Sequence, residues 1–368
     1  MFSETELLYT LALQRVKNLG DASAKKLIRA VGSAEGVFKE KKHRLLKVAG
    51  IGSLKLKELS LTEQLPAAET ELKYIRQNNI NYRYFLDENY PERLKHCLDG
   101  PILFFESGTI NLKNRKTISI VGTRKVTTYG AVFCRQLVET LAPLNPIIVS
   151  GFAYGVDITA HKAAMDSGLQ TVGCLAHGLN QIYPKNHKKY VARLKENGGF
   201  ITEFWSDDPF DRNNFLKRNR IIAGLSEATI VIESAEKGGS LVTADIANSY
   251  NRDVFAVPGR ATDSQSQGCN NLIKSNQAHL LNSAEDLIYM LGWELEETSK
   301  KPQQKQLFVE LTEEEQKVFT YLETKQKELL DTIALECRFP TFKVATLLLN
   351  LELKGLVRPL PGKLFEAI

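Results

Sequence analysis

Short apolar runs, each closed by a glycine or polar turn and followed by a segment of helical spacing, recur from residue 117 onward. They cover residues 118–121, 147–149, 171–175, 200–203, 228–232, 254–257 and 279–281. Runs this short, apolar on both faces, belong to buried parallel strands. The intervening segments, among them 129–141, 188–197 and 243–250, space their apolar residues as helices do. The pattern predicts an α/β fold with a doubly wound, mostly parallel sheet. Ligand sites in such sheets lie at the carboxyl ends of the strands.

The flanking regions read differently. Residues 1–65 place a glycine turn before a lysine-rich helix twice, once at Gly20 and once at Gly50 and Gly52. This resembles paired helix-hairpin-helix (SAM-like) units, whose turn amides face a nucleic-acid backbone; a small helical bundle with solvated lysines fits equally well. Residues 66–110 form a connector: helix, turn and strand through 69–85, a short helix near 89–94 and an extra edge strand at 102–105. Pro101 suits an edge, where no donor is required. The core spans 111–292, and residues 293–310 are a polar linker without periodicity. In residues 311–368, Thr312 and Glu315 form a capping box. Helices at 313–323, 330–336 and 341–354 precede two short strands around Pro361 and Gly362, the winged-helix pattern.

Composition adds bounds. At 368 residues the chain exceeds one comfortable core. Its start lacks the basic and apolar regions of a signal peptide, and no apolar run nears the roughly 20 residues needed to span a bilayer. The five cysteines are scattered with no C-x-x-C, which argues against disulfides and zinc. A cytoplasmic chain with no metal and no membrane contact is expected. The net charge is +5, with 12 Lys/Arg against 7 Asp/Glu in residues 1–65 and 20 against 16 in residues 111–292, while the tail is acidic. Any polyanion contact belongs to the first two-thirds.

The candidate chemistry sits at the strand ends. Gly122, Thr123 and Arg124 follow the first core strand, where a helix start and a guanidinium suit phosphate. No G-x-G-x-x-G occurs, and the next strand ends in Ser150 and Gly151 rather than an acid, so a dinucleotide is not expected. Asp157 and His161 lie one helical turn apart; without a nucleophile placed beside them they read as structural neighbours. Later loops bring Lys185, Phe215, Lys217, Arg218, Arg220, the turn Gly238-Gly239-Ser240 and Lys274. One rim thus gathers Arg124, Lys185, Arg218, Arg220 and Lys274 with glycine-lined helix starts, which suits several phosphates in a row. Phe152, Tyr154, Tyr183 and Phe215 are candidates to stack on unpaired bases. No Walker loop is present, so ATP-driven work is not expected.

These motifs together resemble the DNA-processing protein A family, DprA or Smf. The carriers are I-V-G-T-R (120–124), S-G-F-A-Y-G-V-D-I-T-A-H (150–161), Y-P-K-N (183–186), F-L-K-R-N-R-I-I-A-G-L (215–225), G-G-S-L-V-T-A (238–244), and F-A-V-P-G (255–259) with G-C-N-N-L-I-K (268–274). The resemblance implies an extended Rossmann-like core that binds single-stranded DNA, dimerises, and hands DNA to RecA recombinase in natural transformation. It implies a binding protein rather than an enzyme, with no cofactor and no catalytic residue. Arg124 and Lys185 match the family's DNA-contacting cations, and Gly122, Thr123, Ser150, Gly151, Arg218 and Arg220 its pocket lining. Phe152, Asn219, Gly239, Ser240 and Lys274 complete the candidate site. Asn180, Gly238 and the pair Asn276 and Gln277 depart from the usual residues. A competing reading is a nucleotide phosphoribohydrolase, with the 237–245 turn holding a monophosphate and Asp245 or Asp157 assisting cleavage. The P-G-G-x-G-T turn and following Glu of those enzymes are missing. The winged segment offers only Lys343 and Lys354 against Glu352 on its third helix, which favours partner contact or packing over DNA.

Overall fold

The computed structural model describes residues 3–293, 311–360 and 364–367, in two compact units, Met1–Leu295 and Glu296–Ile368. Nine strands organise the first: β1 (Asn81–Tyr84), β2 (Leu103–Gly108), β3 (Thr117–Val121), β4 (Ile147–Ser150), β5 (Thr171–Cys174), β6 (Gly198–Thr202), β7 (Ala228–Val231), β8 (Asp253–Ala256) and β9 (His279–Leu280). They pair in the order β1-β2-β6-β5-β4-β3-β7-β8-β9. β2 runs antiparallel to both its neighbours and the rest are parallel.

All seven core runs form strands. The 102–105 run is corrected in one respect: β2 is flanked by β6 and capped by β1, which is the true edge, and Pro101 stands ahead of the ladder. The helix expected at 188–197 is divided into a 3-10 turn, Lys185–Tyr190, and a helix, Val191–Glu196. The helix expected from 243 starts at Gly239.

Strand alternation builds a core on each face. Ile118, Ile120, Ile148 and Ile230 pack with Leu137, Val138 and Ala160 of the helices Thr128–Leu141 and Val156–Asp166. Val121, Val149 and Val172 turn the other way, toward Ile221 and Ile222 of Asn213–Leu225 and Ala244 of Gly239–Ser249. The same core continues into the amino-terminal helices through Leu11, Leu27 and Leu72.

Three lysines of those helices are spent internally. Lys26 Nζ donates to the Ala49 carbonyl (3.4 Å), and Lys55 Nζ to the Gly50 carbonyl (2.8 Å) and Ser23 Oγ (2.9 Å), so the two hairpins tie each other. Lys25 is buried, donates to the Cys97 carbonyl, and has its pKa pushed down to about 8 by burial. Asp21, at the first hairpin's helix start, accepts from the Ile102 amide (2.8 Å) and pairs with Arg220 (3.0 Å). The first hairpin faces the protein's own core.

The second unit has helices Glu313–Lys325, Leu330–Cys337 and Thr341–Leu353, with β10 (Lys327–Leu329), β11 (Val357–Leu360) and β12 (Leu364–Ala367) paired in the order β10-β12-β11. This is a winged helix, and its capping box is formed: Thr312 N–H donates to Glu315 (2.8 Å) and Glu315 N–H to Thr312 Oγ1 (3.3 Å). Lys343 is bonded to Glu314 and Lys354 to Glu315. Most of the 293–310 linker and the Pro361-Gly362 turn lie outside the described residues. Among the described residues no helix is long and apolar enough to cross a membrane.

Candidate nucleic-acid interface

Strand order reverses between β3 and β7, and in doubly wound sheets the crevice at such a point takes the ligand. After β3 the Thr123 amide donates to the Glu233 carbonyl (2.7 Å) and the Val156 amide to the Thr123 carbonyl (3.1 Å), fixing the Gly122-Thr123-Arg124 turn. The helix start beyond it does not offer the phosphate site expected there. Thr127 caps Gly130, and the buried Glu233 carboxylate accepts from the Thr127 amide (2.8 Å) and hydroxyl (2.5 Å). The protein's own anion fills that position.

The available helix start is that of Gly239–Ser249. Its cap residue, Gly238, offers no side chain, and a Cβ placed on Gly239 would meet nothing within 4 Å. It opens into a cavity of about 450 Å³ together with Thr123, Arg124, Lys125, Arg212, Phe215 and Lys237. Arg124, Lys125, Arg212 and Lys237 are exposed, and none joins an ion pair among the described residues. Aligned helix amides and unneutralised cations favour an anion strongly. Arg124 lies 5.1 Å from the Phe215 ring centre, and Phe215, Phe210 and Tyr183 pack in T-shaped and tilted pairs with ring centres 5.0 to 5.8 Å apart. Lys185 is exposed two residues beyond Tyr183 of this cluster and is not among the residues that line the cavity. Lys125, Arg212, Lys237 and Phe210 were not singled out from the sequence. Lys237, directly before Gly238-Gly239, was the most readable of them.

The other expected site residues divide between the cavity's floor and wall and places outside it. Ser150 is buried, its hydroxyl donating to the Ile120 carbonyl (2.6 Å). Phe152 is buried against His161, His187 and Phe200, where no base reaches it. Arg218 is only 4% exposed and forms the cavity floor with Asn219, donating to the carbonyls of Gly151 (2.6 Å) and Cys174. A Cβ on Gly151 would come within 2.6 Å of both Arg218 and Asp157, so only glycine fits beneath that pair. Ser240 bonds Ser234 at the cavity wall (3.0 Å). Arg220 leaves the site altogether: it is bonded to Glu203, Asp21 and the Asp99 carbonyl. Lys274 is exposed beside Asp245 in a separate hollow.

Asp157 and His161 do not pair. Burial raises the Asp157 carboxyl's pKa, opposed by Arg218, and Asp157 accepts from the Ala153 amide (3.2 Å). His161 Nδ1 meets Thr171 Oγ1 (2.7 Å), and burial holds its pKa down to about 3. The imidazole is neutral in the fold and takes up a proton near pH 6.5 once unfolded. Its contribution to stability is therefore complete above pH 6.5 and lost as pH falls toward 3. Urea titrations between pH 7 and 4 should show that slope, and His161→Gln should flatten it.

A family model described as DNA recombination-mediator protein A matches residues 81–292, and one for the DprA winged helix domain matches residues 301–363. The chain belongs to the DprA family. Protein Smf of Escherichia coli (strain K12) is 34% identical over 304 residues, covering 80% of this chain and 79% of Smf. DNA processing protein DprA of Bacillus subtilis (strain 168) is 36% identical over 224 residues, 60% of this chain and 75% of that protein. Among solved structures, DprA of Streptococcus pneumoniae superposes with a TM-score of 0.65 at 28% identity, covering 78% of this chain and 98% of its own. DprA of Helicobacter pylori, solved for its single-stranded DNA binding mode, gives 0.52 at 30% identity, covering 57% and 95%.

In this DprA chain, residues ahead of the 81–292 match grip the loop that leads into the cavity. Arg15 pairs with Asp207 (2.5 Å) and Asp208 (2.6 Å) and stacks 3.8 Å over Trp205, whose indole N–H donates to Gln14 (3.0 Å). Glu71 accepts from the Ser206 amide (3.1 Å). Arg212 follows only four residues after Asp208. Arg15→Ala should speed hydrogen exchange across 205–212 and weaken DNA binding several-fold while the sheet stays protected.

Proposed function

We propose that this chain is a single-stranded DNA-binding recombination mediator that protects DNA and loads RecA in natural transformation, acting as a homodimer through its core. The carrying observation is the cavity at the β3/β7 reversal, where four cations without an ion pair among the described residues and an uncapped helix start meet Phe215. Several cations around one space suit a run of phosphates, and adjoining aromatics suit unstacked bases. The DNA-binding structure of the Helicobacter pylori relative supports the same ligand here. Lys185, exposed two residues after Tyr183, would carry the contact past the aromatic cluster, as a strand passing across the cavity requires.

The phosphoribohydrolase reading is weaker. Asp245 is exposed in the hollow with Lys274, apart from the Gly239 helix start, and Asp157 faces Arg218 at the floor. In the winged unit, Lys343 and Lys354 pair with Glu314 and Glu315, while the third helix exposes the large apolar side chains Phe342, Leu349 and Leu353, which favours a protein contact.

Band shifts with single- and double-stranded oligomers across salt test the reading. The single strand should bind more tightly, and with four to five phosphate contacts log K should fall against log salt with a slope of about −3. Equal binding of both forms, or release of free base from nucleoside monophosphates, would reject it. RecA loading is tested by whether the protein shortens the lag in filament assembly on pre-coated DNA.

A further inference from the structure

The second glycine turn of the amino-terminal helices serves neither the cavity nor the sheet. Its surroundings hold the positive charge of that region: residues 39–58 contain seven Lys/Arg against two Glu, one of which, Glu40, is tied to Arg44. Two leucines there face solvent, Leu46 at 45% and Leu54 at 66% exposure. With Leu56, Ser53, Lys42 and Lys57 they line a hollow of about 340 Å³. Lys41 and Lys47 are exposed in the same segment.

A polynucleotide backbone fits this surface poorly. The turn is already occupied by the chain's own cations, since Lys26 and Lys55 bond the Ala49 and Gly50 carbonyls and a Cβ on Gly50 would lie 3.2 Å from Lys26 Nζ. What remains open is an apolar floor walled by lysines. Phosphates would use the walls and leave the leucines wet. A second copy of the surface is disfavoured, because a two-fold contact would set like charges against each other. The complement is a chain that carries both carboxylates and a large apolar side chain.

We propose that this hollow docks an acidic peptide segment of a partner protein. Its apolar side chain seats between Leu46 and Leu54, and its carboxylates meet Lys42 and Lys57. The surface is separate from the DNA cavity, so a partner bound here can be carried alongside a bound strand.

The test is fluorescence anisotropy with the full-length chain and a labelled peptide of Asp and Glu around a single Phe. Micromolar binding is expected. It should weaken roughly tenfold with Lys42→Glu plus Lys57→Glu, with Leu54→Ser, and with Phe→Ser in the peptide. These side chains are exposed, so the melting temperature should not move, and Arg124→Glu plus Lys237→Glu should leave peptide binding intact. Binding indifferent to both Leu54→Ser and Phe→Ser would overturn the proposal as mere charge attraction. So would a dT oligomer that displaces the peptide and is itself weakened by the Lys42 and Lys57 reversals.

Discussion

Arg124→Glu combined with Lys237→Glu should all but abolish single-stranded DNA binding while the protein stays folded. Both side chains line the cavity, both are exposed, and among the described residues neither belongs to an ion pair whose loss would cost stability. Each good cation–phosphate contact contributes about 1–3 kcal/mol, so losing two weakens binding by roughly 30-fold to 10⁴-fold before the added repulsion. The residual binding should also show a shallower salt slope, by about 0.7 for each contact removed from a single strand. Adding Lys185→Glu should weaken what remains. Titrations with a labelled dT oligomer at several salt concentrations measure all three effects. Wild-type affinity in the double variant would move the site elsewhere.

Arg220→Ala should do the opposite. Its guanidinium bridges Glu203 and Asp21, joining the core to the first amino-terminal hairpin, and all three side chains are at least four-fifths buried. Burial already pushes the Glu203 carboxyl above the usual carboxylate range, with Arg220 opposing the shift. Removing the cation strands two carboxylates, and breaking a buried pair in this way typically costs about 3–5 kcal/mol. Urea unfolding should show that loss, while DNA affinity per folded molecule stays near wild type. Arg218 and Arg220, two residues apart on one helix, thus differ completely in role: one floors the cavity, the other fastens the amino-terminal helices to the sheet.

That distinction marks where the sequence stops being readable. The strands were legible because each is a short apolar run closed by a turn, and a run such as 117–121, buried at every position, has no other stable environment. Their ends carried the glycine turns and Arg124 to the correct side of the sheet. Which neighbouring arginine faces the ligand was not legible, because Asn213–Leu225 is covered on most of its circumference and polar spacing no longer reports exposure. Nor was Glu233, which fills the first helix start from the loop after β7, over 100 residues away. Phe152 looked available beside Gly151 but turns inward, and Lys274 shared a strand-end loop with the rim yet faces another hollow. Lys25, Lys26 and Lys55 read as free because their acceptors are main-chain carbonyls, which leave no trace in composition.

Arg218 lends the cavity a property its rim lacks. Dissolved ions shield charges they can surround, and a guanidinium 4% exposed at the base of a crevice is largely out of their reach. Asp157 offsets part of its field, but the remainder persists at ionic strengths that quiet Arg124 and Lys237. A strand once seated would therefore leave more slowly in brine than a purely superficial attraction allows, so that capture is governed by the medium and retention by the interior.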